Sequence, residues 1–229
     1  MEIRTALVTG ASRGLGRALA AALADRGWRL VVDGRDAARL AAVVAALPRP
    51  GRVTAVPGDV ADPAHRAALA AAAGDRLDVL VNNAGALGPV PLPHLADLAP
   101  DDLRQLFEVN AVAPLALVQA VLPALRAAGG AVLDVSSDAA VEAYPGWGGY
   151  GASKAALDRL TAVLAAEEPG LRVYAVDPGD MATDMHRAAA PEDEGLPAPE
   201  TVVPALLRLL EDDAPSGRYR AADLPAVAR

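Results

Sequence analysis

Short continuous apolar runs alternate along this chain with longer stretches whose apolar residues recur at helical spacing. Ile3 to Val8, Trp28 to Asp33, Arg52 to Pro57, Leu77 to Val81, Ala131 to Val135, Leu171 to Val176 and Gly217 to Ala221 read as strands. Residues 15–26, 37–47, 101–128, 149–167 and 201–211 read as helices, and Asp62 followed by Pro63 predicts another helix start. Pro114 should kink or split the long helix. Residues 180–200, rich in proline and acids, read as a loop or mobile lid, and 223–229 as a tail. Strand–helix alternation of this kind predicts a parallel sheet covered on both faces, a doubly wound α/β fold of about seven strands in one domain, 1–229.

One stretch organises the rest. Thr5 to Val8 runs into Gly10, Gly14 and Gly16, and Arg17-Ala18-Leu19-Ala20 is already helical in composition. Glycines let the backbone turn sharply and approach a ligand closely, and the helix N-terminus that follows offers N–H groups to a pyrophosphate. The spacing is G-x-x-x-G-x-G, so an ordinary tight turn is the alternative. The other polar signals also fall at the ends of predicted strands, the edge where an open parallel sheet binds ligands.

Composition narrows the classes. The chain has 229 residues, 53% of them hydrophobic, which suits one folded α/β domain. Its net charge of −8 argues against nucleic acid or an anionic membrane as partner. It has no cysteine, hence no disulfide framework and no thiolate metal site. Ile3 enters the first strand at once, so no signal peptide is expected, and a cytoplasmic protein is.

Tyr150 and Lys154 lie four apart at a helix start and therefore share a face. A cation beside a phenol favours the phenolate and turns tyrosine into a usable acid–base group; a surface tyrosine stacked on a lysine stem is the plain alternative. Lys154 is the only lysine of the chain, which suggests a site needing a compact ammonium. Ser136 and Ser137 both end a strand at the ligand edge, and position alone does not choose between them. Asn110 sits inside a helix, where asparagine is mildly unfavourable. The three histidines, His65, His94 and His186, show no triad spacing.

Taken in order, Thr9-Gly10-Ala11-Ser12-Arg13-Gly14-Leu15-Gly16, Asn82-Asn83-Ala84-Gly85, Asn110, Ser137, Tyr150 with Lys154, and Pro178-Gly179 resemble the short-chain dehydrogenase/reductase family over residues 3 to about 221. The resemblance implies a Rossmann fold and selects Ser137, thirteen residues before Tyr150, over Ser136. It implies that Tyr150 gives a proton to a carbonyl oxygen as hydride arrives, that Ser137 holds that oxygen, that Lys154 lowers the tyrosine pKa and holds the nicotinamide ribose, and that Asn110 anchors a relay water. Gly10, Ser12, Arg13, Gly14, Leu15, Gly16, Asn83, Ala84, Gly85, Pro178 and Gly179 would line the cofactor cleft, with Asp59 and Val60 at the adenine and Thr183 at the carboxamide. The implied substrate is a small carbonyl compound or the matching alcohol, no metal is expected, and the implied assembly is a homodimer or homotetramer on the helices near 101–128 and 149–167. The ending Gly217-Arg218-Tyr219 departs from the family. Asp138 and Asp180 add acids that either read a polar substrate group or cap turns.

Cofactor choice turns on the end of the second strand. An acid there would hydrogen-bond the ribose hydroxyls of NAD. Here that place holds Gly34, followed by Arg35, and Arg13 sits in the glycine turn. Two guanidiniums suit a 2′-phosphate, so NADP(H) is expected over NAD(H). Asp33 would favour NAD if strand alternation aims it into the ribose pocket and is neutral if it pairs with an arginine or faces away. A substrate pocket is expected from Leu87, Val90, Tyr144, Trp147, Met181, Met185 and His186. The rival readings are a catalytically idle NADP-sensing regulator, and a dehydratase or epimerase on the same scaffold.

Overall fold

The structure is a computed structural model that describes residues 3–212 and 214–224. Seven parallel strands form one sheet: β1 (Thr5–Val8), β2 (Arg29–Gly34), β3 (Val53–Pro57), β4 (Val79–Asn82), β5 (Ala131–Val135), β6 (Arg172–Asp177) and β7 (Gly217–Arg220), in the order β3-β2-β1-β4-β5-β6-β7. The helices are α1 (Gly14–Asp25), α2 (Ala37–Ala46), α3 (Pro63–Ala73), α4 (Pro100–Phe107), α5 (Ala113–Ala128), α6 (Gly148–Glu167), α7 (Asp184–Ala189) and α8 (Val203–Glu211). The predicted tail beyond residue 224 lies outside the described residues.

Successive strand side chains point to opposite faces, and the core divides accordingly. Ala6, Val8, Leu30 and Val32 pack with α1 and α8 on one face, while Leu7, Val31, Leu80 and Val132 pack with α3 and α5 on the other. Strands buried on both sides must be apolar throughout, which is why they read as continuous runs. The chain winds outward from β1 to β3, then returns to lay β4 on the other side of β1. That reversal opens a crevice at the C-terminal ends of β1 and β4.

The long helix is divided, as expected, beside Pro114. A π-helical turn, Glu108–Val112, joins α4 to α5, and Pro114, the second residue of α5, has no N–H to give to a carbonyl of that turn. By length and composition, residues 100–128 are apolar enough to cross a membrane. They are interrupted by that turn, and α5 lies against α3 in the core. The segment 180–200 is not loop throughout: Thr183 caps α7 by accepting the N–H of His186 at 3.2 Å.

Candidate active site

The crevice is a cleft of about 610 Å³. Its floor is built by glycine. Gly10 and Gly14 have φ of +67° and +53°, which side chains resist. A Cβ at Gly16 would lie 2.5 Å from the Gly10 carbonyl oxygen and closer still to the Asn83 amide, and one at Gly34 would meet the Ser12 side chain at 2.8 Å. Gly34 is thus required by packing as well as by the absence of an acid there. Thr9 ties the floor to β4. Its Oγ1 accepts the N–H groups of Asn83 and Ala84, both at 3.0 Å, and the Asn83 side chain donates to the Thr9 carbonyl at 2.8 Å. Arg13, the residue before α1, is extended and caps the helix with no side-chain bond, so the helix entrance keeps N–H groups for an anion. Gly16→Ala should lower stability by about 1–3 kcal/mol through this overpacking. A melting curve with and without nucleotide checks it; an unchanged midpoint and unchanged ligand shift would contradict the packing.

Gly10, Ser12, Arg13, Gly14, Leu15, Arg35, Asp59, Val60, Asn83, Ala84, Gly85, Pro178, Gly179 and Thr183 all line this one cleft, with Ser137, Tyr150 and Lys154 at its far end. Gly16 and Asn110 stand behind the wall instead. The acid Asp33 lines the cleft, but it is buried and both its oxygens are engaged: Oδ1 accepts the Gly10 N–H at 2.5 Å and Oδ2 lies 3.1 Å from His65 Nε2. Arg13 pairs with Asp184 of α7 at 3.2 Å, while Arg35 makes no ion pair among the described residues. Hydrogen bonds from Arg187 and Arg13 hold Asp184 below the usual carboxylate range.

Tyr150 enters on the first turn of α6 and Lys154 follows one turn later, its Nζ 5.8 Å from the phenol ring centroid. Burial raises the tyrosine pKa well above its ordinary value; a hydrogen bond with Ser137 works the other way, and the charges of Asp138 and Asp177 raise it further. The expectation that Lys154 holds this phenol low is therefore not met by the chain on its own. The reason is that the ammonium is itself buried: desolvation brings Lys154 down to about 8, against the charges of Asp134 and Asp158, and Nζ donates to the Val135 carbonyl at 2.7 Å. Ser137 Oγ donates to Asp138 Oδ1 at 3.0 Å and belongs to the tyrosine's surroundings; Ser136 Oγ is buried with no partner among the described residues. Asp138 accepts the Ala139 N–H at 2.7 Å and the Tyr144 hydroxyl at 3.0 Å, while Asp180 lies 3.5 Å from His186. Asp138 is thus engaged by the chain's own donors, while Asp180 is largely exposed.

Asn110 explains its place in a helix. It stands in the π turn, fully buried, where its amide accepts the Ala86 N–H and donates to the Ala86 carbonyl, both at 2.8 Å, and to Ser153 Oγ at 2.9 Å. Single π turns of this kind often occur at functional sites. Among the predicted pocket residues, Tyr144, Trp147, Met181, Met185 and His186 line the cleft. Leu87 packs with Ala139 and Tyr150 as core, and Val90 is exposed and apart from the cleft. Sequence reasoning missed Asp134, a buried acid bound by Asn82 and Thr161, both at 2.7 Å; an acid inside an otherwise apolar strand was the available signal. It also missed Arg218, which joins Asp158 at 2.8 Å and the Ser137 carbonyl at 2.9 Å.

A family model for short chain dehydrogenases matches residues 4–194. The chain belongs to the short-chain dehydrogenase family. It is 34% identical over 212 residues to a rhamnolipid-biosynthesis 3-oxoacyl-[acyl-carrier-protein] reductase of Pseudomonas aeruginosa, covering 88% of this chain and 82% of that one. An Arabidopsis thaliana protein described as NADPH-dependent aldehyde reductase-like is 34% identical over 200 residues, covering 80% and 74%. A Shigella flexneri short chain dehydrogenase structure complexed with NADP superposes with a TM-score of 0.89 at 30% identity, over 96% of this chain and 97% of that one. As a short-chain dehydrogenase, the chain is an oxidoreductase with a Rossmann-type fold, and its family binds a nicotinamide cofactor.

Proposed function

We propose that this short-chain dehydrogenase is an NADP(H)-dependent oxidoreductase that reduces a ketone or aldehyde, or oxidises the matching alcohol, with Tyr150 as proton donor and acceptor. The observation that carries the reading is one cleft with a glycine floor and Arg35 at one end and the Ser137–Tyr150–Lys154 group at the other. The glycines without room for a Cβ, the open helix entrance and Arg35 form a donor set that fits a dinucleotide with a 2′-phosphate. The NADPH-dependent description of the Arabidopsis relative and the NADP in the Shigella structure support the same choice.

Bound there, the nicotinamide supplies or accepts the hydride at the carbonyl carbon. The chain does the rest. Tyr150 gives its phenolic proton to the carbonyl oxygen in reduction and takes it back in oxidation. Ser137 hydrogen-bonds that oxygen and stabilises its developing negative charge; its hydroxyl must turn from Asp138 to do so. The raised tyrosine pKa keeps the phenol protonated at neutral pH, the form that reduction requires. Lys154 would pass the replacement proton toward Tyr150 from the buried side, receiving it from a water that Asn110 anchors. Tyr144, Trp147, Met181 and Met185 give the substrate end an apolar wall.

The exposed apolar residues Val112, Leu115 and Val163 mark the surface on α5, α6 and the π turn through which a dimer or tetramer would assemble. The cytoplasm is the compartment that suits this cysteine-free, acidic chain.

The test is a panel of ketones and aldehydes assayed with NADPH and with NADH. A preference for NADPH in kcat/KM is expected, reduced about tenfold or more in Arg35→Ala, the weight of hydrogen bonds to a charged group. A wild-type preference for NADH would overturn the cofactor assignment, and an unchanged ratio in the variant would remove Arg35 from it.

A further inference from the structure

A buried acid lies under the end of the cleft that Arg35 guards. Asp33 ends the run of apolar residues in β2 and directly precedes Gly34 and Arg35. Its side chain is only 2% exposed, and that of His65, on the first turn of α3, 5%. One carboxylate oxygen accepts the Gly10 N–H at 2.5 Å, and the other lies 3.1 Å from His65 Nε2. With the proton on Nε2 the imidazole donates. The ring fits there because residue 58 is glycine; a Cβ at that place would overlap the imidazole. Gly58 is fixed in turn by donating its N–H to the Gly34 carbonyl at 3.1 Å. The ends of β2 and β3, the glycine turn and α3 thus meet on one carboxylate.

The chemistry of that carboxylate opposes NADP. An acid beside the ribose accepts hydrogen bonds from the free hydroxyls of NAD and repels a 2′-phosphate. A buried carboxylate without partners is strongly disfavoured and takes whatever donors are near. Here its donors are supplied from within: the Gly10 amide on one oxygen and His65 on the other.

Resting on the NADP reading, we infer that His65 is a specificity-determining residue of the cofactor site: it occupies the Asp33 carboxylate and keeps that acid from selecting a ribose with free hydroxyls. His65 acts through Asp33 and is a positioning residue. Without the imidazole, Asp33 Oδ2 loses its donor and turns to the ribose hydroxyls. That change costs affinity for a 2′-phosphate and adds affinity for a ribose without one, so both effects move the ratio the same way.

The experiment is calorimetric titration of the whole protein with adenosine 2′,5′-bisphosphate and with 5′-AMP, probes that need no turnover. Wild type should prefer the bisphosphate. His65→Leu should lower that preference by about tenfold, the weight of one charged hydrogen bond. Asp33→Asn, which removes the charge and keeps an acceptor for Gly10, should hold the preference or raise it. In Asp33→Asn the further change His65→Leu should have no effect on the ratio. If His65→Leu does not fold, His65→Gln, which keeps an N–H donor, should retain the preference to within about threefold, and a full collapse of the ratio there overturns the idea. A wild-type ratio in His65→Leu, or a fall of about tenfold in Asp33→Asn, also overturns it while leaving the NADP reading intact. A wild type that binds both probes equally overturns the NADP reading itself.

Discussion

Tyr150→Phe should fold, bind NADPH with nearly unchanged affinity, and lose about 10²–10⁴-fold in kcat, the usual contribution of a positioned acid–base group. The split follows from geometry. The phenylalanine ring keeps the apolar contacts of Tyr150 with Leu87 and Ala139 and the edge contact with Trp147, ring centroids 5.7 Å apart. Only the hydroxyl is lost, and it is placed at the substrate end, far along the cleft from the glycine floor. Steady-state kinetics together with nucleotide titration check this. Comparable kcat in the variant would remove Tyr150 from the chemistry; a matched loss of cofactor affinity would make it a structural residue.

The second large effect separates catalysis from stability. Lys154→Met should abolish turnover, because the proton path to Tyr150 and the ribose contact both disappear, yet it should not weaken the fold near neutral pH. Burial lowers the Lys154 pKa from its ordinary value of 10.5 to about 8. The sign follows from proton counting: between those two values the unfolded chain binds more protons than the folded one, so wild-type stability rises with pH. Below about 8 both states are protonated and the buried charge costs about 3 kcal/mol, at about 1.4 kcal/mol per pKa unit. Wild type should therefore gain up to that amount relative to Lys154→Met between about pH 7 and pH 10.5. Denaturant melts of both proteins at the two pH values measure the difference. A constant gap would mean that Lys154 titrates alike in the folded and unfolded chain.

The strands were legible because a sheet covered on both faces needs apolar side chains pointing both ways, as at Ala6, Leu7 and Val8 and at Val79, Leu80 and Val81. The cleft was legible because its glycines, Tyr150 and Lys154 each stand in a local pattern at a strand end or helix start. Features that depend on two distant segments were not. The bonds of Asp33 to Gly10 and His65 span 23 and 32 residues, and those of Asp134 to Asn82 and Thr161 span 52 and 27. No periodicity records such pairings. The sequence left Asp33 facing the ribose, paired with an arginine or turned away; its partner is instead His65, a residue no local pattern pointed to. Helix α7 escaped because six residues with Asp184, His186 and Arg187 carry no apolar period, and Thr183 as cap is a single-residue signal. The π turn at Glu108–Val112 was signalled only by the uncomfortable Asn110 and by Pro114 just after it, neither of which specifies a π turn over a kink.

Lys154 marks the difference between local pattern and environment. Its spacing from Tyr150 gave its place, but the sequence could not give the depth at which it is buried, and that depth reverses the expected electrostatics. In the folded chain burial and the nearby acids together keep the phenol protonated, and burial outweighs the acids around Lys154, bringing its pKa down to about 8.

The central claim is hydride transfer from nicotinamide to a carbonyl carbon beside Tyr150. NADPH carrying deuterium on the transferable face of nicotinamide C4, incubated with a carbonyl compound that the protein turns over, tests it most directly. Mass spectrometry of the alcohol should find one deuterium on the former carbonyl carbon with wild type, and about 10²–10⁴-fold less labelled alcohol in the same time with Tyr150→Phe. Labelled NADPH left unconsumed across the whole carbonyl panel, or an alcohol free of deuterium, would contradict the account.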